Sequence, residues 1–134
     1  MMDDGMMKDA AETAFRKALS LEQSGEFAAA CAEFARATEL NGADPRYWIG
    51  RGAALLQLRH FAEAARCLRI GIDRKPQYGE ADARMFLADA LWLAGRKKEA
   101  NEEWLAVSKM TPSYPGYDNP IDEAKQRLEG RRPV

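Results

Sequence analysis

The sequence predicts an all-α fold, a helical solenoid of three helix hairpins closed at its C-terminal end by a short helix. Three observations carry that expectation. First, Gly25-Glu26-Phe27 followed by Ala30, Phe34 and Ala37 returns as Arg59-His60-Phe61 followed by Ala64, Leu68 and Gly71. It returns again as Gly95-Arg96-Lys97 followed by Ala100, Trp104 and Val107. Second, the copies keep a fixed spacing: Ala30 and Ala64 lie 34 positions apart, Ala64 and Ala100 lie 36. Upstream, Ala18, Gly52 and Ala88 correspond, as do Leu21, Leu55 and Leu91. Third, each copy holds two helical apolar patterns and no strand alternation. A repeat of this length built from two helices cannot bury its apolar face alone and must stack on its neighbours. Function is therefore sought on a surface, not in a catalytic cleft.

The elements follow in order. Ala11, Ala14, Phe15, Ala18, Leu19 and Leu21 form a wide apolar arc, predicting a helix from about Asp9 to Ser24 that Gly25 breaks. A second helix is expected from Phe27 to Leu40, ending at Asn41-Gly42, residues that tolerate a left-handed turn. Asp44-Pro45 is a start signal, because Asp accepts from free backbone N–H groups and Pro has none to leave unmet. Helices are expected from Pro45 to Leu58 and from Phe61 to about Arg74, the latter stopped by Pro76. The connection over Gln77 to Glu80 is two residues longer than its predecessor. Helices from Ala81 to Ala94 and Lys97 to Met110 follow, then a loop over residues 111–119 stiffened by Pro112 and Pro115. A capping helix is expected over about 120–130, started by Asn119-Pro120. Ile121, Ala124 and Leu128 would face inward, with Asp122, Glu123, Lys125, Gln126, Arg127 and Glu129 turned to water. The whole of 1–134 reads as one domain, with repeats at about 11–44, 45–80 and 81–112.

Composition narrows the function classes. At 134 residues with 46% apolar and 31% charged residues, the chain can bury about two-thirds of its unfolded surface and is not driven to disorder. A net charge of −1 gives no global attraction to nucleic acid or an anionic membrane. The charge is uneven, with nine acidic against four basic residues over 1–44, and two against seven over 45–78. The basic set of Arg46, Arg51, Arg59, Arg66, Arg69, Arg74 and Lys75 lies beside an acidic repeat able to neutralise it, so nucleic acid is not the expected partner. No apolar run is long enough to span a membrane, and Met1 to Lys8 is acidic and lacks the apolar core of a secretory signal. Cys31 and Cys67 sit inside helical patterns as free thiols, which suits a reducing, cytoplasmic setting.

Here the chain resembles the tetratricopeptide repeat family. The second copy carries the fullest match, with Trp48, Gly52, Leu55, Phe61, Ala64, Leu68, Gly71 and Pro76 in order. The first has Ala18, Leu21, Gly25, Phe27, Ala30, Phe34 and Ala37, with Ala14 in place of a large residue and Gly42 in place of Pro. The third has Leu87, Ala88, Leu91, Gly95, Ala100, Trp104 and Pro112, with Arg84 in place of a large residue and Lys97 in place of an aromatic. The resemblance covers about residues 11–112 and implies a right-handed solenoid of three helix-turn-helix repeats. The signature residues are packing residues, so they say how the chain stands up and not what it holds.

The resemblance also implies a concave groove lined by the first helix of each hairpin. Its positions here are Glu12, Phe15, Arg16, Leu19, Glu22 and Gln23; Arg46, Ile49, Gly50, Ala53, Leu56 and Gln57; then Asp82, Met85, Phe86, Asp89, Trp92 and Leu93. From these, Phe15, Arg16, Leu19, Arg46, Ile49, Ala53, Leu56, Met85, Phe86, Asp89 and Trp92 are expected to form a surface for a peptide or partner helix. The set is more apolar than a bare solvent face, and an apolar patch rimmed by charge marks a protein-binding surface. Gly50 costs about 0.5–1 kcal/mol relative to Ala within a helix, which points to close packing or to room for a ligand. Family members that grip the acidic tails of heat-shock chaperones use a clamp of Lys, Asn and Arg. The matching positions here are Phe15, Leu19, Gly50, Asp82 and Phe86, so that mode is not expected.

Catalysis has little to build on. His60, the one histidine, falls in an interhelical turn, and no nucleophile-elbow, phosphate-loop or metal-ligand spacing occurs, so neither enzyme activity nor a cofactor is expected. Gly50-Arg51-Gly52 follows no strand and is no dinucleotide loop. The expected role is an adaptor or small chaperone holding a polypeptide. The alternative is a self-assembling scaffold, a homo-oligomer. Within the first class, Tyr47 to Gln57 is similar to the chaperones of type III secretion translocators.

Overall fold

In the computed structural model, residues 1–111 and 118–134 are described. They form α1 (Asp4–Gln23), α2 (Phe27–Leu40), α3 (Pro45–Gln57), α4 (Phe61–Asp73), α5 (Glu80–Leu93), α6 (Lys97–Ser108) and α7 (Asp118–Leu128). There is no strand among the described residues, and no helix there is long and apolar enough to cross a membrane. Each helix packs on the next in sequence, so the chain grows as stacked antiparallel pairs, the helical solenoid that the repeats predict.

The boundaries differ from expectation where capping, not burial, decides them. α1 begins five residues earlier than expected, because the Asp3 carboxylate accepts the Met6 backbone N–H at 2.8 Å. Met6 and Met7 are exposed, so apolar periodicity carried no sign of that first turn. α3 starts as expected, with Asp44 Oδ1 accepting the Arg46 N–H at 2.9 Å and Pro45 in the first turn. α2 ends at Leu40, but Asn41 is extended (φ −151°) and not left-handed. Gly42 instead offers its carbonyl to Trp48 Nε1 at 2.9 Å and Arg74 Nε at 3.1 Å, tying the turn to both helices of the second repeat. α7 begins at Asp118, so Asn119 and Pro120 lie inside its first turn. The expected Pro-stiffened loop falls largely on residues 112–117, outside those described.

The turns inside the three pairs share one geometry. Gly25 (φ 76°), Arg59 (φ 63°) and Gly95 (φ 88°) each turn left-handed, and the next residue donates its N–H five residues back, to Leu21, Leu55 and Leu91. This is the closure of a helix C-terminus by one left-handed residue, and it aims the second helix back along the first.

The crossings need small residues. A Cβ on Gly50 would stand 2.5 Å from Cε1 of Phe34, so this glycine serves close packing of α3 on α2. A Cβ on Gly52 would meet Leu68 Cγ at 2.5 Å, and one on Gly71 would meet Ile49 Cγ1 at 2.7 Å and the Pro45 carbonyl at 3.2 Å. Around these crossings the core fills with Phe34, Tyr47, Leu68, Leu87, Leu91, Trp104 and Val107, each buried. Each such burial contributes about 1.5–3 kcal/mol. Arg84, which replaces a large residue, reaches across to Glu103 at 3.0 Å.

A polar link joins the first two pairs. Arg46 Nη2 meets Glu12 Oε1 at 2.6 Å and Asp44 Oδ2 at 2.8 Å, while the buried Tyr47 donates its hydroxyl to Glu12 at 2.8 Å. Hydrogen bonding from Arg46 holds the Glu12 carboxyl below its usual range, against the opposing pull of burial. Burial and the bond to Glu12 push the Tyr47 hydroxyl well above the ordinary tyrosine value.

Two outcomes follow. Gly71→Val should cost about 2 kcal/mol or more by forcing α4 off the α3 backbone, read as a lowered midpoint in urea. Because Glu12 is depressed in the folded state, its contribution is present above the ordinary carboxylate value of 4.5 and fades as pH falls through the folded one. Glu12→Gln should therefore lower Tm at pH 7, with the gap to the parent closing on acidification. A gap that stays constant to pH 3 would show that the Glu12 charge contributes nothing.

Candidate functional site

α1, α3 and α5 stand side by side along the inner face of the stack, and between them lies an open cavity of about 400 Å³. Phe15 and Leu19 come from α1, Ile49, Gly50 and Ala53 from α3, and Ala83 and Phe86 from α5. Helical spacing explains the choice: positions three or four apart share one face, so Phe15 and Leu19, or Ile49 and Ala53, point the same way. Phe15 rests on Phe34 and Tyr47, with ring centroids 5.9 Å and 5.2 Å away, and its outer face carries the Arg46 guanidinium at 4.8 Å. Leu19 and Phe86 stand at the mouth, 38% and 39% exposed, where a solitary chain would be expected to bury such side chains.

The eleven groove residues expected from sequence divide five ways. Phe15, Leu19, Arg46, Ile49, Ala53 and Phe86 line this one cavity. Leu56 lines a neighbouring hollow of about 320 Å³ with Phe27, Gln57 and Glu22, and Ala53 and Phe86 belong to both, so the two run together. Arg16 points to solvent, its side chain 79% exposed beside Glu12. Met85 is a correction: at 4% exposure it is a core residue, on the side of α5 that packs inward.

Asp89 and Trp92 lie on the groove face, but the chain covers them itself. Arg127 of α7 meets Asp89 at 3.3 Å, both side chains being largely buried, so Arg127 does not turn to water as expected. Beyond α7 the chain folds back, with Arg132 donating to the Arg127 carbonyl. Its guanidinium lies 5.0 Å from the Trp92 ring centroid and 5.7 Å from that of Trp104, while Lys97 Nζ lies 4.9 Å from Trp92. The Asp89–Trp92 end of the α5 face is thus closed by the C-terminal segment, while the described residues leave the cavity between α1, α3 and the first part of α5 open.

Sequence reasoning missed one wall. Pro76, Gln77, Tyr78 and Gly79 line the cavity from the α4–α5 connection. The signal was present in the two extra residues of that connection, which lengthen the second spacing to 36.

The polar groups of the cavity differ in state. Arg46 is held by Glu12 and Asp44, as described above. Glu22 and Asp82 have no hydrogen-bond or ion-pair partner among the described residues, and burial pushes both carboxyls up from their usual range. Burial likewise raises the thiols of half-buried Cys31 and buried Cys67, leaving them poor nucleophiles. Among the described residues no cluster of His, Cys, Asp and Glu could hold a metal ion.

Solved structures match this architecture over nearly its whole length. The Yersinia enterocolitica type III secretion translocator chaperone SycD superposes with a TM-score of 0.80 at 21% identity, covering 90% of this chain and 82% of that one. The Arabidopsis OM64 TPR domain gives 0.73 at 20% identity, covering 90% and 98%. The second TPR domain of human RPAP3, solved with an HSP70 peptide, gives 0.71 at 17% identity, covering 92% and 98%. At these identities the likeness is one of fold. No curated protein sequence matches the chain. The tetratricopeptide repeat family model matches residues 15–59 and 50–117, most of the chain, and with the stacked helix pairs and their shared turns it shows that the protein belongs to the tetratricopeptide repeat family.

Proposed function

We propose that this protein is a protein-interaction module, an adaptor or small chaperone, that holds a polypeptide segment in the open part of its groove. The observation that carries the reading is the apolar cavity with Leu19 and Phe86 exposed at its mouth. Such a patch costs solubility unless something covers it, and a buried aromatic anchor is the usual centre of binding energy at a protein interface. The neighbours solved with chaperone peptides, RPAP3 among them, support a polypeptide as the occupant. On this reading the module works in the cytoplasm, whose reducing chemistry suits two free thiols. The reading needs no cofactor, no membrane and no nucleic acid.

Panning a random dodecamer peptide library against the protein tests it. Selected peptides should bind the parent and lose at least about tenfold in affinity to Phe86→Arg, since a hot-spot aromatic carries 2 kcal/mol or so. Circular dichroism should show unchanged helicity, because Phe86 is half outside the core. Equal binding by the two proteins would refute the groove. Light scattering across concentration and salt separates a foreign occupant from a second copy of the chain, the scaffold alternative.

A further inference from the structure

The groove already holds one ligand whose chemistry is visible: the protein's own C-terminal segment. That segment is basic where it touches the groove. Arg127 answers Asp89 on α5, and Arg132 lies over Trp92. Asp82 stands seven residues before Asp89, two helical turns along the same face of α5. It lines the open cavity with Glu22 of α1, and neither carboxylate has a partner among the described residues. Among the described residues lining the cavity the one cation, Arg46, is committed to Glu12 at 2.6 Å and Asp44 at 2.8 Å, so it offers little to an acidic ligand. Resting on the groove reading above, we propose that the open cavity selects a polypeptide segment with an apolar side chain flanked by arginine or lysine, a cation meeting Asp82 or Glu22 as Arg127 meets Asp89.

Two points of physical chemistry favour this occupant. Unpaired carboxylates beside an apolar wall lose hydration when an occupant arrives, and a cation compensates that loss more strongly than a neutral donor. An acidic segment would add like charge to the same desolvated place, which costs affinity. The chain therefore inverts the preference that a Lys-rich clamp would give, with Asp82 and Gly50 where cations or amides would have to stand.

Three pools of acetylated, amidated ten-residue peptides test the proposal. They share Leu and Phe at their apolar positions and differ only in carrying arginine, citrulline or glutamate between them. The parent protein should retain the arginine pool at least about fivefold better than the citrulline pool, and the glutamate pool least, in fluorescence anisotropy at low salt. The double variant Glu22→Gln/Asp82→Asn should keep its helicity, lose the preference for arginine over citrulline, and still bind apolar peptides. Equal retention of all three pools by the parent, a preference for glutamate, or an arginine preference that survives in the double variant would each overturn the proposal. Loss of every pool in Phe86→Arg alongside any of those results would leave the groove standing and remove only its charge selectivity. Equal binding of every pool by the parent and by Phe86→Arg would remove the groove as well. A dimer that Phe86→Arg breaks and the arginine pool cannot displace would identify the occupant as a second copy and overturn the proposal.

Discussion

Close approach of helix backbones is the constraint on which this structure depends. Where Gly50, Gly52 and Gly71 stand, the facing helices come so near that even a methyl group would strike a neighbour at 2.5–2.7 Å. Ala64 lies at the Gly52 crossing, and Ala18, Ala30, Ala88 and Ala100, all fully buried, hold the corresponding positions in the other pairs. Small residues let the large ones, Phe34, Leu68 and Trp104, reach into the next layer. The left-handed turns at Gly25, Arg59 and Gly95 complete the arrangement by sending each second helix back along the first. Helix propensity alone would give rods; these crossings give a stack.

A stack of this kind has ends and an inner face, and the chain treats the two differently. The C-terminal end is finished by α7, whose Ile121 and Ala124 are buried against the last pair. The same segment then continues over the inner face, where Arg127 and Arg132 satisfy Asp89 and Trp92. The inner face between α1, α3 and α5 receives no such cover from the described residues. Its Leu19 and Phe86 stay exposed, although the chain covers Asp89 and Trp92 further along α5.

The electrostatics of the groove follow from the same division. Arg46 sits among three groups that need it: Glu12, Asp44 and the ring of Phe15. Its placement ties the first repeat to the second and removes it from the pool of free charge. Glu22 and Asp82 are left without a counter-ion among the described residues. A concave surface with a neutralised cation and two bare carboxylates is acidic in effect, although the chain as a whole is close to neutral.

The repeat spacing, the helix pairs, the small residues at the crossings and the family were all legible in the chain, because they rest on local periodicity and on residue size. So was most of the cavity lining, since positions four apart on a helix share a face whatever the helix packs against. What tertiary structure alone decided was which part of that face stays open. Met85 belongs to the core because α5 is covered on more than one side, and periodicity cannot count neighbours. Asp89 and Trp92 are closed because α7 returns across them, a contact between residues 38 apart for Asp89 and Arg127. The roles of Arg127, read from sequence as a solvated charge, and of the Pro76–Gly79 wall depend likewise on where distant segments come to rest. Local order is written in the residues that make it; the openness of a groove belongs to everything that fails to cover it.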